Sequence, residues 1–80
     1  MPVTIVFLGK LADLAGAPEK QVDGPLDWDG LLAELHGPLG ESAQDKRTRV
    51  ALNGELIADK TTLAAADGDE IALLPPVSGG

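Results

Sequence analysis

The first part of the chain alternates between strand-like and helix-like hydrophobic patterns. Residues Val3 to Leu8 are apolar or β-branched almost throughout, which predicts a strand in the middle of a sheet, covered on both faces. Apolar side chains within residues 11–15 recur at helical spacing and predict a short helix that ends at Gly16. Residues 19–23 alternate loosely and carry charge, as expected of a strand at a sheet edge.

A longer amphipathic helix is predicted after Asp27, whose carboxylate can accept the free backbone N–H groups of a first helical turn. Four large apolar residues then fall on one helical face: Trp28, Leu31, Leu32 and Leu35. We expect Gly37-Pro38 to end this helix, because proline cannot continue the hydrogen-bond ladder. The polar residues 38–48 are predicted to form a loop with no more than one turn of helix.

Three further strands are predicted in the second half of the chain. Residues 49–52 and 55–58 flank Asn53-Gly54, a strong signal for a type I′ hairpin, because both central residues of that turn need a positive φ. Residues 67–69 form a charged turn, and the apolar run from Glu70 to Leu74 is the last strand.

The order of these elements predicts an α+β fold in which a mixed sheet packs on one main helix. Pro75-Pro76 ends the last strand, because neither residue can donate a hydrogen bond to a sheet. We therefore assign residues 1–74 to a single domain and residues 75–80 to an extended C-terminal tail.

The chain is acidic, with 13 acidic and 6 basic residues and a net charge of −7. Nucleic acids and anionic membranes are therefore poor candidate partners, because both bind through clustered Lys and Arg. There is no cysteine and only one histidine, His36, so neither thiolate chemistry nor a resident metal is expected. The N-terminal residues lack the pattern of a signal peptide, and no apolar run is long enough to span a bilayer. We expect a soluble, cytoplasmic protein.

The tail is the most informative segment. Its residues are Pro75, Pro76, Val77, Ser78, Gly79 and Gly80. Two prolines favour an extended path away from the domain, and two glycines make a thin tip that can enter a narrow channel in a partner. The tip would present the α-carboxylate of Gly80, which has a pKa of about 3.5 and is ionised at neutral pH.

A carboxylate is a weak electrophile, so chemistry at Gly80 requires activation. Condensation with ATP would give an acyl adenylate, from which a sulfur or nitrogen nucleophile could displace AMP. Any residue beyond Gly80 would abolish this chemistry, because an internal peptide has no free carboxylate. The alternative is an inert, frayed terminus of small residues.

The segment from Asp67 to Gly80 resembles the C-terminal signature of the small, sulfur-carrying subunit of molybdopterin synthase, in the MoaD/ThiS-type ubiquitin-like family. The first strand from Val3 to Leu8 is also similar to that family, as is the hairpin from Val50 to Glu55. The short helix matches at several positions: Leu11, Asp13, Leu14 and Gly16. Family members often carry a basic residue where this chain has Ala12.

This resemblance implies a ubiquitin-like β-grasp fold and a specific reaction. A ubiquitin-activating-type adenylyltransferase would use ATP to adenylate Gly80, and a sulfur donor would then convert it to a thiocarboxylate. The tail, with Pro75 to Gly79, would enter the large subunit of molybdopterin synthase, and two copies of each subunit would form a heterotetramer. There the sulfur would pass to cyclic pyranopterin monophosphate to form the molybdopterin dithiolene. The small subunit itself would bind no cofactor, and the catalytic side chains would belong to the large subunit.

Leu8 and Leu74 are predicted to lie side by side on the sheet face opposite Ile71 and Leu73. Together with Pro76 they could form an apolar patch that docks both partners. The alternative is that a second layer covers this face, which would make both leucines part of the core.

Three other functions remain open at this point. The chain could carry sulfur for thiazole formation in thiamine synthesis, although such carriers are generally shorter and lack the Leu-Pro-Pro-Val-Ser segment. It could be a protein modifier whose Gly80 is joined to lysines of target proteins. It could also be a ubiquitin-like interaction module with an inert tail.

Overall fold

A computed structural model describes residues 1–76 of the chain. The described strands are β1 (Val3–Phe7), β2 (Glu19–Val22), β3 (Leu26–Asp27), β4 (Arg49–Leu52), β5 (Glu55–Leu56), β6 (Ala64–Ala65) and β7 (Glu70–Leu74). The described helices are α1 (Lys10–Ala15), α2 (Trp28–Glu34) and α3 (Pro38–Gln44). Five strands form one sheet in the order β2-β1-β7-β4-β5, and β3 pairs with β6 in a second, two-stranded sheet.

The large sheet is mixed, as predicted. β1 and β7 run parallel at its centre, with Ile5 opposite Ile71 and Phe7 opposite Leu73. β2 is antiparallel to β1, and β4 is antiparallel to β7. The α+β class is confirmed, and β2 lies at the sheet edge as its charged sequence indicated.

One face of the sheet packs on the helices and forms the hydrophobic core. The core combines alternate residues of the inner strands with the buried sides of all three helices. Its large members are Val3, Ile5, Phe7, Leu11, Val22, Leu26, Leu31, Leu35, Leu39, Val50, Leu63, Ile71 and Leu73.

The prediction that β1 is covered on both faces is wrong. Val3, Ile5 and Phe7 are buried, whereas Thr4 and Val6 are only half-buried on the other face. β1 is interior because β2 and β7 pair with its two edges. An apolar, β-branched run fits an interior strand whether or not its second face is covered.

The helix after Asp27 begins as predicted. The Asp27 carboxylate accepts a hydrogen bond from the backbone N–H of Gly30 at 2.8 Å. Leu31 and Leu35 are buried, and Trp28 and Leu32 pack against the core while half-buried. The predicted apolar face is therefore confirmed.

The prediction of a loop over residues 38–48 is wrong, because α3 occupies Pro38–Gln44. Pro38 lies in the first helical turn, where its missing N–H would have no helical partner in any case. The prediction that Gly37-Pro38 ends the preceding helix is also wrong, because α2 has already ended at Glu34 with Leu35 as its C-cap. Pro38 therefore starts α3. α3 buries Leu39 and Ala43, so the helical layer of the core is larger than expected.

The hairpin prediction is confirmed at its turn, where Asn53 has a φ of 51° and Gly54 a φ of 87°. The returning strand β5 is shorter than expected and ends at Leu56. A single 3-10 turn at Lys60–Thr62 and the small β3–β6 sheet were not predicted.

Lys60 joins the end of α3 to the rest of the domain. Its Nζ donates hydrogen bonds to the backbone carbonyls of Ala43 at 2.9 Å and Thr48 at 3.0 Å, and also to that of Asp45. The ammonium lies 5.6 Å from the centre of the Trp28 ring, within cation–π range. Burial lowers the pKa of Lys60, and the nearby charge of Asp45 opposes that shift. The side chain thus binds the Ala43 carbonyl in the last turn of α3 together with two carbonyls of the loop that follows it.

Replacing Asp27 with Ala should destabilise the domain by about 1 kcal/mol, because the first turn of α2 loses its side-chain acceptor. Asp27→Asn is the matched control, since an amide oxygen still accepts the Gly30 hydrogen bond. Urea unfolding of the three proteins measures the difference. Equal stability of Asp27→Ala and wild type would contradict the capping role.

Replacing Lys60 with Met should cost about 1–3 kcal/mol, because three carbonyls lose their common donor. Lys10→Met removes the same charge from an exposed residue of α1 and should change the free energy of unfolding by less than about 0.5 kcal/mol. If both variants have the same urea midpoint, Lys60 has no special structural role.

Candidate functional site at the end of the last strand

The tail leaves the domain from the end of its central strand. β7 is held between β1 and β4, and Leu8 continues the parallel pairing by donating its N–H to the carbonyl of Leu73 at 3.2 Å. Pro75 and Pro76 follow Leu74 and are half-buried. The start of the tail is therefore fixed to the most strongly paired part of the sheet.

The predicted reactive end of the tail lies outside the described residues. Val77, Ser78, Gly79 and Gly80 belong to this segment. The predicted insertion of the tail into a partner, and the predicted chemistry at Gly80, stay predictions.

Gly9 lies directly against the start of the tail. Its φ is 55°, and a Cβ atom on Gly9 would lie 3.1 Å from Cγ of Pro75. A side chain at this position would be both strained and crowded. In the sequence, Gly9 simply follows the first predicted strand, and nothing nearby indicates this contact, because a contact between distant residues leaves no local pattern.

The sheet face away from the core carries a line of apolar side chains. Val6 of β1, Ala72 of β7, Ala51 of β4 and Leu56 of β5 lie opposite one another in register. Paired residues on neighbouring strands share a face, so these four side chains form one row across the sheet. Leu56 is 60% exposed at its end.

A second, shorter row lies beside the tail. Leu8 is 41% exposed, Leu74 is half-buried, and Arg49 is the residue of β4 opposite Leu74. The two rows together are named the apolar strip, which consists of Val6, Leu8, Ala51, Leu56, Ala72 and Leu74. The structure brings Leu8 and Leu74 together outside the core, and Pro76 follows on the same strand end. Their predicted role in docking stays a prediction.

The tail groove is a shallow cavity of about 450 Å³ at the start of the tail. Its lining residues are Lys46, Arg47, Arg49, Leu74, Pro75 and Pro76. The Arg47 guanidinium donates two hydrogen bonds to the Asp45 carboxylate, and this contact lowers the pKa of Asp45 to about 2. Half of the basic residues of the chain therefore lie in one groove.

His36 and the acidic turn at residues 67–69 have surroundings that indicate a structural rather than a chemical role. His36 is exposed beyond the end of α2. The Asp69 carboxylate accepts a hydrogen bond from the N–H of Ala66 at 2.9 Å, which is the main reason that the pKa of Asp69 is lowered. The turn that contains Asp67 and Asp69 is thus closed by this side-chain contact together with the backbone hydrogen bond from the N–H of Asp69 to the carbonyl of Ala66 at 3.0 Å. Within residues 1–76, no three His, Cys, Asp or Glu side chains come together in a way that could hold a metal.

The three helices described above are each far shorter than a bilayer is thick. In the described part of the chain, no helix has both the length and the apolar character needed to cross a membrane.

Comparison with known proteins identifies the family. The sequence model of the ThiS family matches residues 5–80, which is most of the chain. This chain belongs to the ThiS family. The molybdopterin synthase sulfur carrier subunit of Chlamydomonas reinhardtii is 31% identical over 84 residues, and the alignment covers 100% of both proteins.

Solved structures that are similar to this chain show the same fold. One is the complex of subunits 1 and 2 of the molybdopterin-converting factor from Helicobacter pylori 26695, with 32% identity, a TM-score of 0.67 and complete coverage of both chains. Another is small archaeal modifier protein 1 from Haloferax volcanii, with 32% identity, a TM-score of 0.64 and complete coverage of both chains. The predicted ubiquitin-like β-grasp fold and the predicted family are both confirmed.

If the apolar strip docks a partner, Leu74→Asp should weaken binding of the molybdopterin synthase large subunit by about 30-fold or more. Leu8→Asp, at a more exposed position, should have the same effect with less risk to the fold. Leu14→Asp is the matched control, because Leu14 is 45% exposed on α1 rather than on the sheet. Calorimetric titration gives the affinities and circular dichroism the folded state. Unchanged affinity in both folded strip variants, or unfolding of both, would reject the docking surface.

Proposed function

We propose that this ThiS-family chain is the sulfur-carrier subunit of a molybdopterin synthase. The observation that carries the proposal is the match over the whole chain, since the family model extends through Gly80 and the curated sulfur carrier aligns over its full length. The geometry is compatible with this role, because the central strand leads directly into the tail and an apolar strip lies beside that exit.

The proposed chemistry takes place on the C-terminal carboxylate of Gly80. An adenylyltransferase of the ubiquitin-activating type would join this carboxylate to the α-phosphate of ATP and release pyrophosphate. A hydrosulfide equivalent would then attack the carbonyl carbon and displace AMP, which leaves a thiocarboxylate. The sulfur would pass to cyclic pyranopterin monophosphate in the large subunit, and water would restore the carboxylate. This chain would thus act as the sulfur-donating subunit of a sulfurtransferase, without a bound cofactor or a side-chain active site.

The proposed assembly is a heterotetramer of two small and two large subunits. The similarity to one chain of the two-subunit Helicobacter pylori complex supports a large-subunit partner. In the proposed complex, Pro75 and Pro76 hold the start of the tail at the domain surface while Val77 to Gly79 carry Gly80 into the partner. The cytoplasmic location predicted from the sequence is part of the same proposal, because it places the chain with its ATP-dependent activating enzyme.

A second candidate function is protein modification, which the similarity to small archaeal modifier protein 1 favours. In that case a lysine amine of a target would displace AMP and form an isopeptide bond with Gly80. Intact-mass analysis of the protein purified from its native host separates the two functions. One oxygen replaced by sulfur at the C-terminus supports a carrier, and larger conjugates that contain Gly80-linked lysine support a modifier.

Adding two residues after Gly80 should abolish sulfur transfer, because no terminal carboxylate remains next to the glycine pair. The matched control carries the same two residues before Met1, which is 93% exposed. Both proteins should unfold at the same urea concentration as wild type. The assay reconstitutes molybdopterin formation with the large subunit, the adenylyltransferase, ATP and a sulfide source. Full activity of the C-terminally extended protein would refute the mechanism.

A further inference from the structure

The tail groove concentrates positive charge on an acidic protein. The whole chain has a net charge of −7 and only 6 basic residues, yet Lys46, Arg47 and Arg49 line this one groove. No carboxylate of residues 1–76 lines it. These three cations lie within four residues of the sequence, between α3 and the start of β4, so the position of this segment beside the end of β7 brings half of the basic residues to the start of the tail.

The three cations of the groove differ in whether an acidic side chain is already paired with them. Arg47 contacts Asp45 through an ion pair of 3.1 Å and a second hydrogen bond of 3.3 Å, so its charge is largely matched. Within residues 1–76, Lys46 and Arg49 contact no carboxylate closely enough to form a salt bridge. Lys46 and Arg49 are both exposed. Among the described residues, the groove therefore presents two positive charges to solvent without an acidic side chain in salt-bridge contact.

The floor of the groove is apolar and continuous with the apolar strip. Leu74, Pro75 and Pro76 form this floor, and Leu74 also belongs to the strip. Arg49 lies opposite Leu74 on β4, so a cation borders the apolar row directly. A surface with an apolar centre and charges at its border is typical of a protein–protein interface.

The position of the groove limits what can cover it once the tail is engaged. Residues 75–80 span at most about 20 Å when fully extended. A protein that holds Gly80 in its active site must therefore come close to the point where the tail leaves the sheet. The groove lies at that point, so its cations would face the rim of a channel that receives the tail.

We propose that the tail groove docks an acidic protein surface at the rim of that channel, with Lys46 and Arg49 as the cations that meet the carboxylates of the partner. The proposal rests on the proposed function, because that function requires a protein to take up the tail. A small phosphate-bearing ligand is less suited to the groove, since its floor is formed by apolar side chains. Charge complementarity at such a rim would mainly accelerate association and orient the tail toward its channel.

The test compares two variants that lower the net charge by the same amount. Lys46→Gln/Arg49→Gln removes these two positive charges of the groove. Lys20→Gln/Gln21→Glu changes the net charge equally on β2, at the sheet edge and two strands from β7. The substituted positions are all exposed. The second variant also loses the surface ion pair of Lys20 with Glu34 at 3.3 Å, which contributes little to stability because both side chains are partly exposed, so both variants should remain folded.

Association rates with the purified large subunit are measured by surface plasmon resonance at low and high ionic strength. The groove variant should associate about tenfold more slowly than wild type at low salt and should lose most of the salt dependence. The β2 variant should stay within about twofold of wild type. Equal rates for the two variants, or a wild-type rate that salt does not change, would overturn the proposal.

Two further measurements separate the remaining explanations. In the first, inorganic phosphate is titrated while NMR follows the backbone amides of Lys46 and Arg49. Saturation at micromolar phosphate, together with a groove variant that associates as fast as wild type, would identify an anion site and overturn the proposal. The rate comparison is repeated with the adenylyltransferase. If the wild-type protein binds this enzyme but not the large subunit, the proposed pathway is contradicted. The association rate of the groove variant with the adenylyltransferase, relative to wild type, would still decide the role of the groove.

Discussion

The parallel pairing of β1 with β7 is the interaction on which both the fold and the site depend. It joins the first and last strands of the chain at the centre of the sheet, with Ile5 opposite Ile71 in the core. Strand pairing fixes both the register of the strands and the sheet face on which each side chain lies. The same contact therefore also places Leu8 beside Leu74 on the opposite face. A one-residue slip would bury the wrong side chains and turn the apolar strip inward.

The small size of the domain explains why one sheet face is left without a covering layer. Three short helices are enough to cover one face, and their apolar residues are already used in the core. The other face therefore keeps Val6, Ala72 and Leu74 partly accessible. A partner that covers this face would bury apolar area that the isolated chain cannot bury, and binding to the native state alone would stabilise the fold.

Local chemistry made much of the fold predictable from the sequence. The N-cap at Asp27 and the Asn53-Gly54 turn each depend on a few adjacent residues, and both are confirmed. The pairing of Leu8 with Leu74 followed from simple alternation along two strands. The family was also predicted from the sequence, from the tail together with the first strand, the short helix and the hairpin, and the ThiS family model matches residues 5–80.

The features that the sequence did not predict depend on distant contacts or on ambiguous residues. Pro38 fits the end of one helix as well as the first turn of another, and only the burial of Leu39 distinguishes the two. Lys60 is unremarkable in the sequence, yet its ammonium binds carbonyls 12 to 17 residues away. The contact of Gly9 with Pro75 likewise joins opposite ends of the chain.

Contacts between residues that are far apart in the sequence also explain why cationic and apolar side chains lie together at the exit of the tail. Lys46 and Arg47 follow α3, Arg49 begins β4, and Leu74 ends β7, so no continuous segment contains the groove. Lys60 holds the end of α3 by its carbonyls, including that of Asp45, and Asp45 in turn holds Arg47. The orientation of the loop that carries Lys46 and Arg47 is therefore a consequence of the packing of the domain. In the proposed function the reactive group lies beyond this exit, and the end of β7 together with this loop would provide a fixed surface that orients the tail toward the partner.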